Sequence, residues 1–292
     1  MDTLKMKKIK LILGIFSGFL LFLVLYGGSI NQSLHVMSRR RGNFKLVLEN
    51  IIPAHIRTSK EIPIKRGRGK YKLKNQEGRY EEMLSWSQYG QDRFIDKLLE
   101  HKRNGTFIEI GGYDGEMFSN TLFLEKERGW TGLLVEANPY TYEQMVRKDR
   151  NCFMINSCIS DKMHNMTFII GGGLTSAIEI ISKRHQDRIE RDFKVYGARE
   201  TWTHAKENVV VKCYPLSSLM NTLGKTRIDY FSLDVEGAEM VILQSIDWTQ
   251  LDIDVFTIET DQHRQEILTF MKTHGYKWIQ TIPGDDVFRK IK

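Results

Sequence analysis

The chain opens on an apolar block. Leu11 to Ile30 runs twenty residues without a charge, and Lys5, Lys7, Lys8 and Lys10 lie directly upstream. As a helix that run would reach roughly 30 Å, the thickness of a bilayer core. It predicts a short basic tail over 1–10 and a single transmembrane helix over 11–30. The four lysines favour a cytosolic N-terminus, although Arg39, Arg40, Arg41 and Lys45 flank the other side. A cleaved signal peptide is the alternative, with Gly27-Gly28-Ser29 as small residues for a protease, but the apolar core to Tyr26 is long for that role. Residues 31–79 are densely charged, and Lys65 to Lys74 shows neither helical nor strand period. Their basic run from Lys65 to Lys74 predicts an extended stem, and a polybasic patch for anionic lipid is the competing reading.

From residue 80 onward apolar and polar positions alternate between two periods. Met83, Leu84, Phe94, Ile95, Leu98 and Leu99 fall at helical spacing within 81–101, and Thr106 to Ile110 is a short β-prone run. Helices are predicted over 120–128 and 141–149, with strands at 132–136 and 152–156. Further strands follow at 167–170, 209–213, 229–234, 254–259 and 276–281, and further helices at 238–245 and 263–273. Strand, helix, strand repeated in this way is the signature of parallel βαβ units, so one open α/β domain is expected over 80–292. The charged and aromatic stretch 182–208, with Phe193, Tyr196 and Trp202, is the expected insertion or lid.

Charge changes the picture once it is divided. The net charge is +7, but residues 1–80 hold 17 Lys+Arg against 4 Asp+Glu, leaving 26 against 32 in the remainder. The body is therefore mildly acidic, and nucleic acid is not an expected partner. Cys152, Cys158 and Cys213 are too few for a disulfide framework, and their odd number leaves at least one free or paired with another chain. No His/Cys cluster has metal-ligand spacing, so no structural zinc is expected. Asn31, Asn104 and Asn165 begin formal glycosylation acceptor triplets.

In an open parallel sheet, ligands bind beyond the carboxyl ends of the strands. The first such end reads Glu109-Ile110-Gly111-Gly112-Tyr113-Asp114-Gly115 and the second ends in Glu136. Glycines there let the backbone approach a ligand, and a carboxylate at the second strand end can accept both hydroxyls of a ribose. The glycine spacing fits neither a dinucleotide fingerprint nor a Walker loop, which leaves a nucleoside with little phosphate. S-adenosylmethionine suits the charge, since Glu109, Asp114, Glu136 and Asp161 would surround a sulfonium with acid. The competing reading is a tight βα turn whose Glu136 only caps the next helix.

Four motifs in order are similar to a known family. Phe107 to Gly115, Ser119 to Glu125, Leu134 to Pro139 and Asp229 to Glu239, over roughly 86–282, resemble the FkbM-type methyltransferase domain, and Ser87 to Asp92 resembles its eukaryotic, membrane-anchored Star-like branch. The resemblance implies a class I methyltransferase Rossmann-like sheet of seven mostly parallel strands, behind the single N-terminal transmembrane helix. It implies S-adenosylmethionine as cofactor, with Glu109, Gly111, Gly112, Asp114 and Gly115 in the cofactor loop, Glu136 on the ribose, and Ser160 and Asp161 at the adenine edge. Asp234 and Glu236 fall beside the transferable methyl and are the candidate catalytic pair, with Glu259 and His263 secondary. Ser232 stands where many bacterial members carry lysine.

The expected activity is O-methylation of a hydroxyl-bearing substrate by a single-pass protein of the endoplasmic reticulum, Golgi or endosome, its body lumenal. A non-catalytic Star-like adaptor acting on protein cargo in secretory traffic is the alternative. A Golgi-type glycosyltransferase using Asp234 and Glu236 on a metal would leave the glycine loop unexplained.

Overall fold

The computed structural model describes residues 62–75 and 84–291 in full and, nearer the N-terminus, the backbone of four strands. These are β1 (Lys10–Phe16), β2 (Phe19–Leu25), β3 (His35–Arg40) and β4 (Asn43–Leu46), paired in that order into an antiparallel sheet within a unit covering 1–61. Residues 11–16 and 19–25 are thus strand where a membrane helix was expected. A run of Leu, Ile, Phe and Val broken by Gly14 satisfies either period, so its hydrophobicity does not decide between the two. Among the described residues no helix is long and apolar enough to cross a membrane. The tail over 1–9 and Asn31 lie outside the described residues.

The second unit covers 62–292. Its chain runs β5 (Lys65–Arg66), α1 (Gln91–Leu98), β6 (Thr106–Ile110), α2 (Leu122–Arg128), β7 (Thr131–Glu136), α3 (Pro139–Arg147) and β8 (Phe153–Asn156). Next come β9 (Cys158–Ile159), β10 (His164–Ile169), β11 (Ser176–Ala177), α4 (Lys183–Tyr196), β12 (Asn208–Tyr214) and α5 (Leu216–Thr222). The last elements are β13 (Arg227–Leu233), α6 (Glu239–Ser245), β14 (Asp252–Glu259), α7 (Arg264–Thr273), β15 (Tyr276–Ile282) and β16 (Asp285–Lys290).

The main sheet is mixed, ordered β15-β16-β14-β13-β6-β7-β8-β5. Its five central strands, β14 to β8, are parallel, whereas β16 pairs antiparallel with both β14 and β15. Strand order reverses between β6 and β13: from β6 the chain steps outward to β7 and β8, and from β13 it steps the other way to β14. That reversal is where an open α/β sheet leaves a crevice. Because side chains alternate along a strand, Ile108 and Ile110 enter one core layer with Val135, Phe231 and Phe256, while Phe107, Leu134 and Tyr230 enter the opposite one.

Residues 62–75, part of the predicted stem, lie along this body rather than ahead of it. Arg66 pairs in register with Phe153 and donates to Asn151 Oδ1 at 2.7 Å, and Arg68 is paired with Asp149 at 2.9 Å. The helix predicted over 81–101 begins only at Gln91. Buried Asp92 accepts from Ser85 Oγ at 2.6 Å, Ser87 Oγ at 2.9 Å and Trp86 N at 2.9 Å, and these bonds hold 85–87 in an irregular loop.

Between β8 and β13 the chain leaves the main sheet and builds a second one, ordered β11-β10-β12-β9, which carries α4. A disulfide joins Cys158 on β9 to Cys213 on β12, 55 residues apart, so it ties the two ends of this excursion together. Cys152 is free and buried.

Candidate active site

Above the β6/β13 reversal lies a cavity of about 680 Å³. Gly111, Glu136, Ser160, Asp161, Asp234 and Glu236 line it together. Glu109, Gly112, Asp114 and Gly115 do not, and each has a different employment.

Glu109 is on the face of β6 opposite Ile108 and Ile110. It accepts from Ser119 Oγ at 3.0 Å, from Asn120 N at 2.8 Å and from the Thr121 hydroxyl, with the Arg150 guanidinium 3.9 Å away. Arg150 is wholly buried and also holds Glu125 at 3.0 Å, so these groups lock the start of α2 against the sheet. Asp114 Oδ1 closes a turn by accepting from Glu116 N at 2.9 Å and Met117 N at 2.7 Å. Gly112 and Gly115 leave room for Met145 of α3: an added Cβ would lie 2.8 Å from its side chain at either position.

Gly111 has φ 84, and a Cβ there would meet the carbonyl oxygen of Asp234 at 1.8 Å. The loop after β6 and the loop after β13 are in backbone contact at the sheet's reversal, with Asp234 N donating to Ile110 O at 3.2 Å. Gly111 N and Gly112 N both donate to Val135 O, at 3.0 and 3.1 Å. The glycines therefore serve close chain packing first, and the cavity floor is a consequence of it.

Glu136 ends β7 with its side chain at this floor. Its Oε2 accepts from Tyr113 N and its Oε1 from Asn138 N, both at 2.8 Å. Each carboxylate oxygen retains a second lone pair, enough to accept one ribose hydroxyl each. Burial pushes its pKa up to about 7, against the opposing pull of those backbone hydrogen bonds. Ser160 and Asp161 follow β9; Ser160 N donates to Tyr214 O at 3.2 Å, and its hydroxyl donates to Lys162 O at 2.7 Å. The disulfide at Cys158 thus anchors the wall on which both residues sit.

The loop after β13 gathers acid. Carboxylate oxygens of Asp234, Glu236 and Glu259 lie within 4.8 Å of one another, a grouping that can share protons or hold a cation. Burial, then the neighbouring Glu236 carboxylate, pushes Asp234 well above the usual carboxylate range. Glu236 is pushed up to about 7 by burial, with Arg188 acting against it, and Glu259 up to about 12 by burial and then Asp234. Buried Glu239 fastens the loop, accepting from Val235 N at 3.0 Å and Gly237 N at 3.1 Å. Ser232 faces away from the cavity and accepts from Asn120 Nδ2 at 2.9 Å. His263 precedes α7 as its N-cap residue with φ 57, and its Nδ1 lies 3.4 Å from Glu266.

One wall comes from the excursion. Arg188, Asp192 and Tyr196 of α4, with Arg199 and Trp202 just beyond it, line the cavity. Arg188 Nη1 donates to Glu236 Oε2 at 2.9 Å, and His185 Nδ1 lies 3.6 Å from the same oxygen. These residues belong to the stretch expected as a lid, but none was expected in the site. Their signal was the mixture of charge and aromatic residues in a segment without core periodicity.

The donor set fits a cationic nucleoside: Glu136, Asp161, Asp234 and Glu236 surround the space with carboxylates, while Ile110, Val135 and Ile159 supply an apolar floor.

The Methyltransferase FkbM domain matches residues 109–278. Among solved structures, a TehB-like SAM-dependent methyltransferase from Corynebacterium glutamicum is 12% identical, with 70% of this chain and 89% of that one covered at a TM-score of 0.36. A precorrin-6y C5,15-methyltransferase from Geobacter metallireducens is 11% identical, covering 68% and 87% at 0.35. A SAM-dependent methyltransferase from Aquifex aeolicus is 10% identical, covering 70% and 91% at 0.32. No curated protein sequence matches the chain. The cofactor is S-adenosylmethionine. The chain belongs to the FkbM methyltransferase domain family.

Proposed function

We propose that this protein is a membrane-associated O-methyltransferase of the secretory pathway, with its body in the lumen. The observation that carries the reading is the convergence of Glu136, Ser160 and Asp161 with Asp234 and Glu236 on one cavity at the sheet's reversal. Gly111, Glu136, Ser160 and Asp161 would hold the cofactor, the carboxylate of Glu136 taking the ribose hydroxyls. S-adenosylmethionine supplies a methyl carbon on a positively charged sulfur, so the protein's work is alignment and removal of the acceptor's proton.

Glu236 is the better base of the pair. A pKa pushed up to about 7 leaves it partly ionised at neutral pH, where it can accept a hydroxyl proton, whereas burial and the neighbouring Glu236 carboxylate push Asp234 well above the usual carboxylate range, which favours its neutral form. Arg188 of α4 fixes the Glu236 carboxylate.

The Cys158–Cys213 disulfide supports an oxidising compartment. The charge-free run from Leu11 to Ile30 supports membrane association, and Asn104 and Asn165 are exposed and open to glycosylation in a lumen. The test is transfer of radiolabelled methyl groups from S-adenosylmethionine into lipid and glycan extracts by the full-length chain. Label incorporated by the native protein and lost in Glu236→Gln supports the enzyme. A chain that binds cofactor yet labels nothing supports the adaptor reading.

A further inference from the structure

Three separate segments bring four apolar side chains to the lining of the cavity and leave them exposed: Met117 at 42%, Phe118 at 38%, Ile180 at 37% and Val241 at 46%. Single exposed apolar residues are ordinary on any surface, but convergence on one rim is not. Phe118 is held at φ 63, a left-handed backbone that bulky residues rarely adopt and that persists where surroundings enforce it. Ile180 follows the short strand β11 and Val241 lies on α6, so the rim is built from both the excursion and the main domain.

Polarity changes with exposure across the cavity. Glu136, Asp234 and Glu236 are among its less exposed lining residues and α4 adds Arg188 and Asp192, whereas Met117, Phe118, Ile180 and Val241 bring exposed hydrocarbon to the same lining. A fully hydrophilic acceptor would leave that hydrocarbon facing water when bound. An acceptor with a polar end and an apolar body would satisfy both ends of the site.

We infer that the methyl acceptor is an amphiphile, its hydroxyl-bearing head directed to Asp234 and Glu236 and its hydrocarbon body lying across Met117, Phe118, Ile180 and Val241. This rests on the methyltransferase reading above and adds the substrate class to it. The rim provides affinity in proportion to the apolar area it covers, and the carboxylates select the hydroxyl.

The test uses the full-length chain in phosphatidylcholine nanodiscs, titrated calorimetrically with hexyl β-glucoside and with methyl β-glucoside after subtraction of heats from empty nanodiscs. The hexyl compound is expected to bind at least tenfold more tightly. Ile180→Asp and Val241→Asp are each expected to reduce that preference at least threefold, and Val241→Ser, a milder change, to move it in the same direction. Equal affinity for the two glucosides, or a preference that survives all three substitutions, overturns the inference. Titration of the same samples with S-adenosylmethionine reports folding and separates the two claims. Intact cofactor binding without an alkyl preference removes the amphiphile alone, whereas an unsubstituted chain that fails to bind cofactor removes the methyltransferase reading.

Discussion

A Cβ on Gly111 would sit 1.8 Å from the carbonyl oxygen of Asp234, so the glycine loop after β6 and the acidic loop after β13 are fitted to each other at the backbone. Neither backbone can retreat, because Asp234 N is bonded to Ile110 O and Gly111 N to Val135 O. Gly111→Ala is expected to destabilise the body by about 3 kcal/mol or more, from the clash and from a φ of 84. Urea denaturation of the variant beside the native chain checks this, and a change below about 1 kcal/mol would show that the loops are not tightly apposed.

Arg150 offers a second test, in the buried network beneath the site. Its guanidinium is the positive charge between Glu125 and Glu109, with Ser119 and Gly115 O also bonded to it. Arg150→Leu leaves those carboxylates buried without their cation and is expected to cost about 3–5 kcal/mol. The same denaturation measurement reads it.

The Cys158–Cys213 bridge closes a 55-residue excursion, for which loss of chain entropy in the unfolded state gives a stabilisation of about 4 kcal/mol. Cys213→Ser, or reduction, is expected to lower stability by about 2–4 kcal/mol and to weaken cofactor binding, because Cys158 anchors the wall bearing Ser160 and Asp161. Non-reducing mass spectrometry should find this bridge and leave Cys152 as the free thiol. A body that keeps both stability and affinity in reductant would count against a structural bridge.

Stability should also depend on pH in a defined direction. Glu136 and Glu236 titrate near 7 in the folded chain against an ordinary value of 4.5. Between those values the folded state keeps protons that the unfolded state has released, so their contribution to stability is present below about 4.5 and declines as pH rises through 7. The thermal midpoint of the native chain is expected to fall over that window more steeply than that of a Glu136→Gln, Glu236→Gln double variant. Matching slopes in the two proteins would show that neither group is buried as described.

Much of the scaffold is legible in the sequence because parallel central strands are buried on both faces and read as largely apolar runs, continuous at 132–135 and interrupted by Ser232 within 230–233. Side-chain direction is less legible. Glu109 and Asp114 sit within a glycine-rich loop motif, yet strand alternation turns Glu109 towards Arg150 and an Asx turn occupies Asp114. The late start of α1 depends on Asp92 bonding backward to Ser85 and Ser87, a choice that periodicity does not register. The pairing of Cys158 with Cys213 follows from the register of β9 on β12, a contact across 55 residues, and the roles of Arg188 and Tyr196 follow from where the second sheet places α4.

The proposed role of Glu136 is to hold S-adenosylmethionine at the carboxyl edge of the sheet, beside Gly111 and Asp234. Calorimetric titration of the full-length chain with S-adenosylmethionine, beside Glu136→Ala, tests it most directly. Binding is expected to be micromolar, to strengthen from pH 6 to pH 8 as Glu136 and Glu236 ionise, and to weaken at least tenfold, about 1.4 kcal/mol, in the variant. Absence of binding by the native chain, or equal binding by the variant, would contradict it.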